Sequence, residues 1–415
     1  MTFRPGLRSL VLLLALLATV VKLILAATTF GTNDVHYWIA FAAGAKEFGP
    51  VGMYVNPEYG SAPYNHAPLT GHMLVWLNWL DSVTGKGIPF LIRMIPSVAD
   101  TVTAVVIFEL VRQERPVKVA AVCAILAAWG PVMLIVSGFH GNTDPLMMMF
   151  ALLAVLLATK GWFGWSGVSA ALALSVKLIP VIILPLLIVV AIRAGWKAVA
   201  RLAAGGALVF LVLWVPVLWG HGQQFMASVV GYKGIGVREW GIYQFALWAE
   251  LDEGVKTAFV DHGRFVVLAL AAFASAWFVW RRPGAVVPAT GLAFAGFLLF
   301  SSAFSMQYLV WPALAVYLVS PWLGALFNVA AGAFAISVYN SWNGDLHLWQ
   351  WNEGRAHMFE PRHFVFMVIA WVTLAMLVTS GVAGQFRTRS GGVQPGGKAN
   401  AGTAAPSGHM IGVSS

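Results

Sequence analysis

Apolar runs close to twenty residues long recur along most of the chain, and the first, S-L-V-L-L-L-A-L-L-A-T-V-V-K-L-I-L-A-A (9–27), sets the pattern. A helix needs about 20 such residues to cross about 30 Å of hydrocarbon. A chain dominated by runs of this length is expected to fold as an all-α polytopic membrane protein. Charge agrees, since Asp, Glu, Lys and Arg make up only 10% of the residues, against about 25% in soluble domains. A soluble enzyme would need charged helix faces, and almost none are present. The net charge of +9 reads as the Lys/Arg bias of cytoplasmic loops and not as a nucleic-acid surface. Cys123, the one cysteine, lies inside an apolar run, so neither a disulfide framework nor a thiolate metal site is expected. The N-terminal run is long for a signal peptide and Lys22 interrupts it, so a retained signal-anchor helix is expected.

Membrane helices are expected at 9–27, 89–112, 118–137, 145–159, 163–178, 179–194, 200–219, 263–281, 284–302, 305–320, 321–340 and 362–384. The apolar segment 68–82 is decided by parity. If it spanned the bilayer, Arg112, Arg115 and Lys118 would fall on the side opposite Arg4 and Arg8. Read as an interfacial helix, it leaves all five on one face, joined by Lys160, Arg193, Lys197, Arg201, Arg281, Arg282, Arg387 and Arg389. The expectation is therefore twelve spans with both termini cytoplasmic, a transmembrane domain over 1–386 and a disordered cytoplasmic tail over 387–415. A helical first extracytoplasmic loop (28–88) and further outer loops at 220–262 and 340–361 share the opposite face.

That face collects most of the chemistry. Asp34, in T-N-D-V-H-Y-W, reads two ways: as the cap of a surface helix, or as a carboxylate placed to take the proton of an attacking hydroxyl. The turn S-G-F-H-G-N-T-D-P (137–145) holds His140, Asn142 and Asp144; it either caps the next helix, with Pro145 in its first turn, or contacts a phosphate or sugar. Lys177, in A-L-A-L-S-V-K-L-I-P, is an ammonium in an apolar run where charge costs several kcal/mol unless paired or wet. Pro180 breaks the helix just after it, which places the amine to neutralise a phosphate leaving group; a snorkelling lysine is the alternative. His140 and Arg238 are further candidate phosphate contacts, and His36, Tyr37, His66, Asn142, Asp144, Trp240 and His347 candidate substrate contacts. Arg93 and Asp100, two turns apart on one helix, are expected to pair, and Glu109 to be solvated.

D-V-H-Y (34–37), P-Y-N-H-A-P-L (63–69), V-A-D-T-V-T-A-V (98–105), S-G-F-H-G-N-T-D-P-L (137–146) and S-V-K-L-I-P-V-I-I-L-P (175–185) resemble, in order and spacing, GT-C-fold glycosyltransferases. The likeness is to the first GPI mannosyltransferase and to bacterial polyprenol-phosphate-mannose-dependent mannosyltransferases. S-M-Q-Y-L-V-W-P (305–312) resembles a later segment of the wider class. The resemblance implies a polyprenyl-phosphate-linked sugar, most readily mannose, as donor and a lipid or glycolipid as acceptor, with inversion from β donor to α product. It implies that Asp34 is the base and Lys177 the partner of the departing phosphate. The family's D-x-D pattern is broken by His36 in place of the second acid. A lone carboxylate beside a histidine is a poor hard-cation site, so metal-independent transfer with no cofactor is expected. The Gly/Ala-rich tail, without a retention signal, points to a bacterial plasma membrane. Two other classes compete: a transporter or flippase for a lipid-linked sugar, which would gather polar groups at the bilayer midplane, and a non-catalytic component of envelope assembly.

Overall fold

The computed structural model describes residues 6–55, 58–59, 62–232, 240–343 and 360–387. The chain is built almost wholly from helices; its only described strands, Glu58–Tyr59 and Ala62–Pro63, form a two-residue antiparallel ladder. Helices occur at all twelve positions expected for spans. Eight are long and apolar enough to cross a membrane, and four are shorter: Asp144–Thr159, Phe163–Val176, Ile179–Ala194 and Met306–Leu318. Many outward side chains are apolar, as on the first helix, where Leu12, Leu13, Leu16, Leu17, Val20 and Ile24 are exposed. A surface of this kind suits hydrocarbon.

Helices α1 (Leu7–Thr28) and α4 (Ile88–Val111) pack together. Glu109 pairs with both Arg8 (3.3 Å) and Arg112 (2.8 Å), so the start of α1 meets the end of α4. Glu109 is thus buried and ion-paired, not solvated as expected. Between these helices the chain leaves and re-enters the bundle at one end through α2 (Asn33–Gly52) and α3 (Pro68–Thr84). These two pack face to face; Asn78 donates to the Ala42 carbonyl (2.6 Å), and Gly71 lies so close to Pro50 that a Cβ would come within 2.6 Å of its carbonyl oxygen. Trp38, Phe41, Tyr54, Tyr64, Leu74 and Leu77 give this loop its own apolar core, apart from the larger core of the bundle.

Arg93 does not pair with Asp100. Seven residues of helix separate them by about 10 Å of rise, and nearer partners come from α1. Arg93 donates to the Ala26 and Thr29 carbonyls (both 2.8 Å), where the last turn of α1 leaves acceptors open. Asp100 binds Lys22 Nζ at 2.6 Å.

Two expected boundaries shift. The helix expected at 200–219 runs from Trp196 to Val230, and the one expected at 263–281 begins at Glu253. Much of the outer segment 220–262 is therefore helical, bent at His221 (φ −144°), where Phe225 turns in against Tyr54.

Candidate active site

Three chain breaks converge at the α2 end of the bundle. The first is the start of α2, where Thr32 is the cap residue and no side chain caps the helix. Asp34 is therefore not spent on capping. The second follows α5 (Val117–Trp129) and α6 (Pro131–Ile135), where a π-helical turn, Val136–His140, carries His140 inward. Gly141 ends it at φ +79°, a conformation that favours glycine; a Cβ there would also meet Arg93 Cγ at 3.0 Å. The third is the end of α8 (Phe163–Val176), which follows α7 (Asp144–Thr159). Lys177 is extended there (φ −151°, ψ 154°), ahead of the 3-10 turn Ile179–Ile183 that contains Pro180.

Asp34 Oδ2 accepts from His140 Nε2 and from Asn142 Nδ2, both at 3.0 Å. An ionised carboxylate only accepts, so His140 Nε2 carries a proton, and on the other side of the ring Nδ1 stands 2.6 Å from the Tyr339 hydroxyl. Thr32 adds a bond to the His140 carbonyl (3.1 Å). The far side of the Asn142 amide accepts from Lys177 Nζ at 3.3 Å. Lys177 also binds Asp144 Oδ2 at 2.5 Å, while Asp144 Oδ1 accepts from Trp311 Nε1 at 2.6 Å. The ammonium stands 5.5 Å from the centre of the Tyr308 ring. One amide thus separates the Asp34 carboxylate from the Lys177 ammonium.

Exposure sorts these groups. The Asp34 side chain is 32% exposed and Lys177 17%, whereas Asp144 is fully covered. Burial alone would raise the Asp34 pKa; the His140 ring, the Asn142 amide and the Lys177 charge outweigh it and hold the carboxyl below the usual carboxylate value. His66 stacks on Trp38 (4.5 Å between ring centres), and burial, with Lys177 nearby, pushes its pKa down to about 3, so its ring is neutral. The chemistry available is that of an accessible anionic base beside a partly accessible cation, both preorganised by buried partners.

Several candidate contacts are engaged with other side chains. Both Asp144 oxygens are bonded, one to Lys177 Nζ and one to Trp311 Nε1. His140 and Asn142 are buried and bonded to Asp34. Trp240 is a core residue: it is buried, stacked on Phe304 (4.9 Å), and donates to the Leu298 carbonyl at 2.9 Å. His36 is exposed beside Phe30, and the Tyr37 hydroxyl accepts from Asn33. Arg238 and His347 lie outside the described residues. Sequence reasoning missed Tyr339, Trp311, Tyr308 and Thr32. The segment 305–312 did flag Tyr308 and Trp311 as a stretch, whereas nothing local marks Tyr339. No protein-family model matches the chain, and no curated protein matches it.

Proposed function

We propose that this chain is a membrane glycosyltransferase of the GT-C kind, moving a sugar, most readily mannose, from a polyprenyl-phosphate donor to a lipid or glycolipid acceptor. The observation that supports it most is Asp34. It is a carboxylate free of capping duty, open to solvent, and one amide away from an ammonium at a helix break.

In this reading the acceptor hydroxyl passes its proton to Asp34 as its oxygen attacks the anomeric carbon. The bond from that carbon to the phosphate oxygen breaks on the opposite face, and the configuration inverts. The charge that develops on the departing polyprenyl phosphate is met by Lys177, which keeps one of its three N–H groups after binding Asp144 and Asn142. No metal or cofactor takes part. All twelve helices cross the membrane, both termini are cytoplasmic, and the site faces the outer side of a bacterial plasma membrane. Contacts that join basic chain ends pairwise support this topology: Arg8 with Glu109, Arg115 with the Val319 carbonyl (2.8 Å), and Arg282 with the Phe386 carbonyl (3.3 Å).

A transporter would place accessible polar groups within the bundle. Lys22 and Asp100 occupy such a position, but their side chains are 0% and 2% exposed. The test is incubation of the purified protein with polyprenyl-phosphate-mannose and a membrane lipid extract, followed by mass spectrometry. A hexose-bearing lipid and released polyprenyl phosphate are expected; intact donor and no hexosylated product would sink the proposal.

A further inference from the structure

Helix α7 runs away from the candidate site to a turn at residues 159–163, and α8 runs back from that turn to Lys177. Sixteen and 14 residues of helix place that turn about 20–24 Å from Asp144 and Lys177. A recess of about 370 Å³ opens there, lined by Gly161, Trp162, Phe163, Gly164, Trp165 and Arg201. Trp162 and Trp165 are 62% and 68% exposed, so two indoles stand on the outer surface at the recess.

The recess has a rigid frame. Its walls come from α8 and the helix Trp196–Val209, whose backbones touch: a Cβ on Gly167 would lie 2.0 Å from the Leu202 carbonyl oxygen, and one on Gly205 2.0 Å from that of Gly164. Small residues that let backbones meet this closely fix one helix against the other. Arg201 is exposed, and no carboxylate pairs with it among the described residues. The sequence explains why: no Asp or Glu stands between Asp144 and Glu239, while Lys160, Arg193 and Lys197 lie in the same stretch. Farther along the Arg201 helix, Leu208 and Leu211 are 60% and 62% exposed, so an apolar surface continues from the charged end.

We propose that this recess binds the headgroup of an anionic phospholipid. Arg201 forks onto the phosphate, the indoles of Trp162 and Trp165 sit at headgroup level, and the acyl chains lie along the leucines below. A planar guanidinium suits a phosphate, and amphipathic indoles suit the boundary between water and hydrocarbon. A free phosphate would gain nothing from the indoles or the apolar surface. The site is independent of the glycosyltransferase reading.

Native mass spectrometry of the full chain, released from detergent with phosphatidylglycerol or phosphatidylcholine at equal concentration, tests it. One phosphatidylglycerol should be retained well beyond phosphatidylcholine. Arg201→Ala should weaken retention by about tenfold, the scale of one charge-assisted hydrogen bond, and Trp162→Ala with Trp165→Ala should weaken it too. All three positions are exposed, so thermal unfolding should be unchanged. Soluble glycerol phosphate at millimolar concentration should not compete. Equal retention of the two lipids, full retention by Arg201→Ala, or displacement by glycerol phosphate would overturn the proposal.

Discussion

Two lysine–carboxylate pairs of the described residues lie within the bundle at nearly equal distances: Lys22 with Asp100 at 2.6 Å, and Lys177 with Asp144 at 2.5 Å. Their surroundings differ. Lys22 and Asp100 are sealed between α1 and α4, where Gly138 packs onto the Lys22 backbone. Lys177 stands where a helix stops, is 17% exposed, and reaches Asp34 through Asn142. Charge among apolar helices is costly in both places. In the first it is cancelled within the bundle. In the second the buried carboxylate fixes an ammonium at an opening, beside an accessible acid. What separates a structural pair from a candidate functional one here is access, not residue type.

Substitutions at the two pairs should therefore part company in any assay of sugar transfer. The largest effect is expected at Asp34. Asp34→Asn keeps the shape and loses the base, so transfer should fall by about 10³-fold, within the range of general-base contributions, while the protein still folds, with the unfolding temperature lowered by the loss of the charge that His140 and Asn142 bind. Steady-state kinetics beside a thermal scan checks both. Next comes Lys177→Met, made with Asp144→Asn so that no buried carboxylate is left alone. It should lower kcat by about 10²-fold with little change in KM, the mark of an interaction made in the transition state. If KM rises and kcat holds, the amine only binds.

The pH dependence should be slight. The folded pKa of Asp34 lies below its ordinary 3.8. Its ionised form, and the stability that form contributes, are complete above that ordinary value and are lost as pH falls through the depressed one. Transfer should thus change by less than about twofold between pH 7 and 5 on account of this group, and His66, already neutral, should add no step there. A carboxylate-like fall in kcat/KM above pH 5 would contradict the assignment. The smallest effect on transfer is expected at the sealed pair. Asp100→Asn alone strands a buried ammonium and should cost about 3–5 kcal/mol of stability. Lys22→Met with Asp100→Leu should recover most of that, with transfer per folded molecule close to wild type. A loss of transfer in the well-folded double variant would mean that the sealed pair also serves the site.

Much of this contrast could be read from the residues, because it depends on local properties. Apolar run length located a helix at each of the twelve positions expected for spans, and the break at Pro180 marked where the helix before Lys177 would stop. What could not be read depends on which distant helices meet. Tyr339 reaches His140 across 199 positions and Trp311 reaches Asp144 across 167, and neither pairing leaves a local trace. Trp240 read as a candidate substrate contact because an aromatic residue in an outer segment reads alike whether it faces solvent or, as here, the Leu298 carbonyl. The Arg93–Asp100 expectation failed for a similar reason. Spacing along one helix says nothing of a nearer partner on its neighbour, and α1 supplied one to each.

The most direct test of a shared site is a cryo-EM structure of the full chain with a polyprenyl phosphonate analogue of the sugar donor. The expected density places a phosphonate oxygen within hydrogen-bond distance of Lys177 Nζ and the sugar between it and the Asp34 carboxylate. An analogue lodged elsewhere, with Asp34 and Lys177 still walled off from it by packed side chains, would contradict the proposal that these two groups act on one substrate.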